Sequence, residues 1–117
     1  MGEALMGKAE RDRGKRGERL WRDECRAAGF EDARRGVQYA ATGGNPDVVV
    51  PSMPGFWAEC KFVNRLNIHS AMRQATEQSG DLIPYVCHKR SGEKFMVTMH
   101  SSDWFKLVKA YLENASR

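Results

Sequence analysis

A chain of 117 residues makes one small domain with a modest core. Nineteen Lys and Arg against fifteen Asp and Glu leave a net charge of +4 and a pI near 9.1, a balance that suits a polyanionic partner. The three cysteines (Cys25, Cys60, Cys87) are odd in number and widely spaced, which fits neither a disulfide framework nor a paired-cysteine zinc site. They read as reduced core residues of an intracellular, cytoplasmic protein. His69, His88 and His100 are equally scattered, which argues against a His-rich metal nuclease. No hydrophobic run has the length needed to cross a bilayer and no signal peptide is visible, so no membrane partner is expected.

Residues 1–13 are charged and lack a hydrophobic stripe, and are expected to form a flexible tail ahead of a single domain over 14–117. A helix is expected from about Gly14 to Ala28, because Glu18, Trp21, Cys25 and Ala28 recur at helical spacing and Gly29 suits the position after the last turn. Glu18 has two readings: a carboxylate favoured by the helix dipole, or a third carboxylate aimed over a sheet at a metal. Phe30 to about Gln38 reads as a strand carrying Arg34 and Arg35. The following loop contains Thr42 and Gly43, whose hydroxyl and small size would let a phosphate approach the backbone.

The centre of the chain is Asn45-Pro46-Asp47-Val48-Val49-Val50, a turn over Ser52-Met53-Pro54-Gly55, and Trp57-Ala58-Glu59-Cys60-Lys61-Phe62. It reads as a β-hairpin. Folded about Met53, it sets Asp47 opposite Glu59. Side chains alternate along a strand, so Glu59 and Lys61 share one face while Ala58, Cys60 and Phe62 share the other. Two carboxylates facing each other across a ladder repel, and a divalent cation between them would relieve that. Mg²⁺ takes carboxylate oxygens and keeps several waters, and a lysine on the same face can serve a phosphoryl oxygen or an attacking water. The alternative is that Glu59 and Lys61 form the solvated face of an edge strand.

Asn67 can cap a helix over Ile68 to Ser79 that closes at Gly80. Leu82 to His88 and Phe95 to Met99 read as strands joined by a basic turn that includes Lys89 and Arg90. Ser101 or Ser102 can cap a last helix with Trp104, Leu107, Val108, Tyr111 and Leu112 on one side, as core or interface.

These pieces in this order resemble the PD-(D/E)XK nuclease superfamily, and within it the small Holliday junction resolvases of archaea and phages. The likeness is carried by Lys15-Arg16-Gly17-Glu18-Arg19, Gly29-Phe30, Arg35, Thr42-Gly43, Pro46-Asp47, Glu59-Cys60-Lys61 and Gln74-Ala75, roughly Lys15 to Met99. The resemblance implies an α/β, three-layer, restriction-endonuclease-like fold with a mixed central sheet flanked by helices. It implies a Mg²⁺ site, for which Mn²⁺ would substitute, on Asp47, Glu59 and the Cys60 backbone carbonyl. Glu18 would join through water or a second ion. By the same comparison Lys61 matches the catalytic lysine and Gln74 the helix-borne glutamine, while Lys15, Arg16, Arg35, Thr42, Gly43, Lys89 and Arg90 would meet DNA.

The expected function is Mg²⁺-dependent endonucleolytic hydrolysis of branched or four-way-junction DNA by a homodimer. The longer loop after Arg35 and the C-terminal helix with Trp104 and Phe105 differ from the resolvase branch. A general or nicking phage-type endonuclease, and a non-catalytic DNA-binding module of the same fold, are the alternatives. Apolar residues for a dimer surface are Trp104, Phe105, Tyr111 and Leu112 on the last helix, or Phe95 and Met99 on the last strand.

Overall fold

The computed structural model describes residues 7–36 and 46–116. Its elements are α1 (Lys8–Ala27), β1 (Arg34–Arg35), β2 (Val48–Val49), β3 (Phe56–Phe62), α2 (Ile68–Ser79), β4 (Ile83–Lys89), β5 (Met96–Thr98) and α3 (Ser101–Ala115). The strands form one sheet in the order β1-β2-β3-β4-β5. Among the described residues only β3 and β4 run parallel, and the other pairs are antiparallel. The chain is thus α/β with a five-stranded mixed open sheet, as expected at that level. Among the described residues no helix is long and apolar enough to cross a membrane.

Alternation along β3 and β4 sorts the core into two layers. Ala58, Tyr85 and Cys87 pack with Cys25 of α1, together with Val48, Val50 and the partly buried Trp21, Phe30 and Phe56. Trp57 and Val86 point the other way and pack against Ala71, Met72 and Ala75 of α2. A sheet covered on both faces explains why β3 and β4 are apolar at nearly every position rather than at every second one. Trp21 ties the first layer together, with its Nε1 donating to the Tyr85 hydroxyl at 3.2 Å and its ring edge-on to Phe95 at 5.1 Å.

The central hairpin has the expected register: Val48 pairs with Ala58, which centres the turn on Met53. The α2 helix has the expected bounds, with Asn67 Oδ1 accepting the Ser70 N–H at 3.0 Å. Several boundaries differ, the strands β4 and β5 by one residue at each end. The first helix begins at Lys8 rather than Gly14. Straight-chain Lys and Arg lose little on joining a helix, and one interior glycine costs only about 1 kcal/mol. The first strand starts only at Arg34 and is described over Arg34–Arg35, because the Phe30 N–H turns back onto the Cys25 carbonyl and the Ala33 N–H onto the Phe30 carbonyl; Val37 and Gln38 of the expected strand lie outside the described residues. The last helix has His100, not a serine, at its N-cap.

Gly17 fixes how closely α1 lies on the sheet. A Cβ there would stand 2.6 Å from the Cβ of Phe62 on β3. Gly14, one turn earlier, has nothing within 4 Å of such a carbon. Gly14→Ala should therefore raise the melting temperature through helix propensity, by about 0.5–1 kcal/mol. Gly17→Ala should lower it, since overpacking of about 1–3 kcal/mol outweighs the same gain. Paired thermal melts check this, and equal shifts in one direction would contradict the close approach.

Candidate active site

The hairpin register sets Asp47 abreast of Glu59, one residue before Val48 and one after Ala58. Asp47 is held by its backbone on both sides: its N–H donates to the Ala58 carbonyl at 3.0 Å, and its carbonyl accepts the Gly36 N–H at 2.9 Å. Its carboxylate continues the ladder just before β2 begins, with Oδ2 accepting the Cys60 N–H at 2.8 Å. The side chain is thus aimed by the sheet itself.

Glu59 is buried at 4 % exposure, on the α2 side of a central strand. This excludes the solvated edge-strand reading. Lys61 lies two residues on along the same face, with Nζ 3.4 Å from Glu59 Oε2 and donating to Gln74 Oε1 of α2 at 3.2 Å. Asp47, Glu59, Lys61 and Gln74 therefore come together from three elements, β2, β3 and α2.

Their electrostatics carry the signature of a crowded carboxylate pair. Burial pushes the Glu59 carboxyl up to about 7, the Asp47 charge adds to the rise, and Lys61 opposes it. Asp47 is also raised by burial, against the Cys60 N–H and the Lys61 charge, which favour its ionised form. Burial and mutual repulsion thus favour a protonated carboxyl on Glu59, because two adjacent buried carboxylates resist ionising together.

Glu18 stands across from this group on α1 and is partly buried. Its Oε1 accepts from Arg35 Nε at 3.1 Å. Burial raises its pKa, the Asp47 charge adds to that, and Arg35 opposes it. It is near enough to Asp47 to feel its charge but is engaged by Arg35. Arg35, expected to meet DNA, is half of that ion pair.

The remaining basic candidates lie apart. Lys15 and Arg16 are exposed on α1, with the Arg16 guanidinium 5.6 Å from the centre of the Phe62 ring. Lys89 Nζ donates to the Glu93 carbonyl within the turn after β4, and Arg90 is exposed in that turn. Thr42 and Gly43 lie outside the described residues. Two neighbours of the site were not foreseen. His88 pairs with Lys61 across the parallel β3–β4 ladder, its Nε2 is 2.8 Å from Thr98 Oγ1, and burial lowers its pKa. Cys87 donates its thiol to Cys60 Sγ at 3.2 Å, directly beneath the Glu59–Lys61 segment. Neither carries a local signal, because parallel pairing joins stretches separated by a whole helix.

The donor chemistry fits a hard divalent cation. Asp47 and Glu59 bring carboxylate oxygens to one place, where a cation would relieve their repulsion. Among the described residues no three His, Cys, Asp or Glu side chains converge as a ligand group. Further positions would fall to a backbone carbonyl and water, an arrangement Mg²⁺ accepts.

Comparison of the chain with protein-family models, with curated proteins and with solved structures found no match.

Proposed function

We propose that the chain is a Mg²⁺-dependent endodeoxyribonuclease of the PD-(D/E)XK type, with a restriction-endonuclease-like fold, that acts on branched DNA. One observation supports this above the others. A buried glutamate faces an aspartate from the neighbouring strand, and a lysine two residues on is held between that glutamate and a helix-borne glutamine. A protein that only bound DNA would gain nothing from carboxylates where phosphates must approach.

In this reading Asp47, Glu59 and the Cys60 carbonyl would hold the ion, and Glu18 would join through water or a second ion. When bound, the ion supplies positive charge at the reacting phosphoryl group and makes a coordinated water more acidic. Lys61 orients the attacking water and stabilises charge developing on a phosphoryl oxygen. Gln74 fixes the Lys61 ammonium by accepting from it, so that the lysine does not collapse onto Glu59 alone. Lys15, Arg16, Lys89 and Arg90 contribute phosphate contacts, which fix the position of DNA and carry no sequence information. Resolving a four-way junction takes two opposed nicks, so a chain with one such site would work in pairs.

The test is a panel: purified protein, Mg²⁺, and equal amounts of labelled four-way junction, flap, single strand and linear duplex. Junction and flap should be cut fastest, with no cutting in EDTA. Linear duplex cut as fast as junction would leave the general nuclease reading. Tight binding of DNA without cleavage of any substrate would leave a binding module.

A further inference from the structure

Two of the three thiols stand against each other on neighbouring strands. Cys60 of β3 and Cys87 of β4 are partners in the parallel ladder, so their side chains leave the sheet on the same face. Their sulfurs are 3.2 Å apart, and the Cys87 sulfur is also 3.4 Å from the Glu59 carbonyl oxygen. A disulfide joins Cα atoms about 4.4–6.8 Å apart through sulfurs about 2.05 Å apart. Neighbouring strands run about 4.8 Å apart, so the ladder already sets the two backbones at bonding distance. Only the sulfurs have to close, by about 1.2 Å.

The two sulfurs differ in access. Cys87 is fully buried at 0 % exposure, whereas Cys60 is partly exposed. Cys25 packs in the same core layer, but it comes from α1 and not from a neighbouring strand. The hydrogen bond from Cys87, together with burial, holds the Cys60 thiol well above its ordinary pKa. The pair therefore rests as two thiols, and only a small oxidant can reach it.

We propose that Cys60 and Cys87 are an oxidation site, closing to a reversible disulfide when the chain meets a hydroperoxide. Cys60, the accessible member, attacks a peroxide oxygen as its thiolate. The O–O bond breaks, the first water leaves, and Cys60 becomes a sulfenic acid. The Cys87 sulfur then attacks the Cys60 sulfur, the S–O bond breaks, and the second water carries away the Cys87 proton. Two thiols are oxidised by two electrons and one peroxide is reduced to two waters. The new bond fastens β3 to β4 behind Glu59 and Lys61. Cys60 also donates its N–H to Asp47 Oδ2, so the segment drawn toward β4 is the one that aims that carboxylate. This site goes beyond the nuclease reading and does not depend on it.

The test treats the full chain, reduced and metal-free, with a small excess of hydrogen peroxide. Free thiols counted after unfolding should fall from three to one, with no covalent dimer on a non-reducing gel. Trypsin cuts after Arg22, Arg26, Arg35, Lys61 and Arg73, which puts each cysteine on its own peptide. Gly36–Lys61 should be found joined to Gln74–Lys89, two hydrogens lighter than their sum. Dithiothreitol should restore all three thiols. Cys25→Ser should form the same link, and Cys60→Ser should keep both of its remaining thiols. The partly exposed Cys60 makes its variant decisive even if Cys87→Ser fails to fold. Three results would overturn the proposal: three thiols left after peroxide, a link that uses Cys25, or Cys60 carried on to a sulfinic acid beside a free Cys87.

Discussion

Lys61→Ala should lower the rate of DNA cleavage by at least about 100-fold to 1,000-fold, the usual loss when one preorganised donor is removed from a charge-developing transition state. Its affinity for the same DNA in EDTA should stay close to that of the wild type, because one contact among several phosphate contacts is lost. The split between rate and binding separates a catalytic role from a merely structural one. Lys61 also neutralises Glu59, 3.4 Å away. Its removal therefore drives Glu59 further toward its protonated form. Raising the pH and the Mg²⁺ concentration should restore metal occupancy but not turnover. Recovery of wild-type rates under those conditions would reduce Lys61 to a tuner of its neighbour.

In metal-free protein, Glu59→Gln should stabilise the fold near pH 8, and Asp47→Asn should do so less. Glu59 ordinarily ionises near 4.5 and is held at about 7 in the folded chain. Between those values the folded state keeps a proton that the unfolded state has lost. The stability this contributes is complete below about pH 4.5 and is lost as pH rises through about 7, up to about 3 kcal/mol in all. Glu59→Gln has no proton to lose, so its melting temperature should be flatter across this window. His88 works in the opposite sense, since burial lowers its pKa and its contribution grows as pH rises toward its ordinary value. The difference between variant and wild type, rather than either curve alone, isolates Glu59. Asp47→Asn gains less because it leaves the Cys60 N–H with a weaker acceptor. Parallel pH slopes in wild type and Glu59→Gln would show that the carboxylate pair is not under strain.

How much of this was legible in the sequence depends on the reach of each interaction. Pro54 and Gly55 mark a turn, and two short apolar runs on either side leave one register that buries Val48 and Ala58 together, so the Asp47–Glu59 pairing follows from counting. The α2 helix was readable to the residue because Asn67 caps it and Gly80 ends it. The long-range partnerships were not readable. That β3 lies parallel to β4, and so is central and buried, is decided by the α2 crossover and not by either strand. Hence Glu59 could be read equally as solvated or enclosed. Arg35 looked like a free cation because nothing local says that Glu18, on another element, will take it. The early start of α1 was hidden because charged residues give no apolar period, although they are good helix formers.

The claim on which the mechanism depends is that Asp47 and Glu59 together form a divalent-cation site. Calorimetric titration of Mg²⁺ into metal-free protein near pH 6.5, where Glu59 still carries its proton, tests it most directly. Wild type should bind the ion with a heat that changes with the buffer's ionisation enthalpy, because the Glu59 proton must leave. Asp47→Asn and Glu59→Gln should each lose that binding while remaining folded. Binding of equal strength in wild type and both variants would place the ion elsewhere and contradict the account.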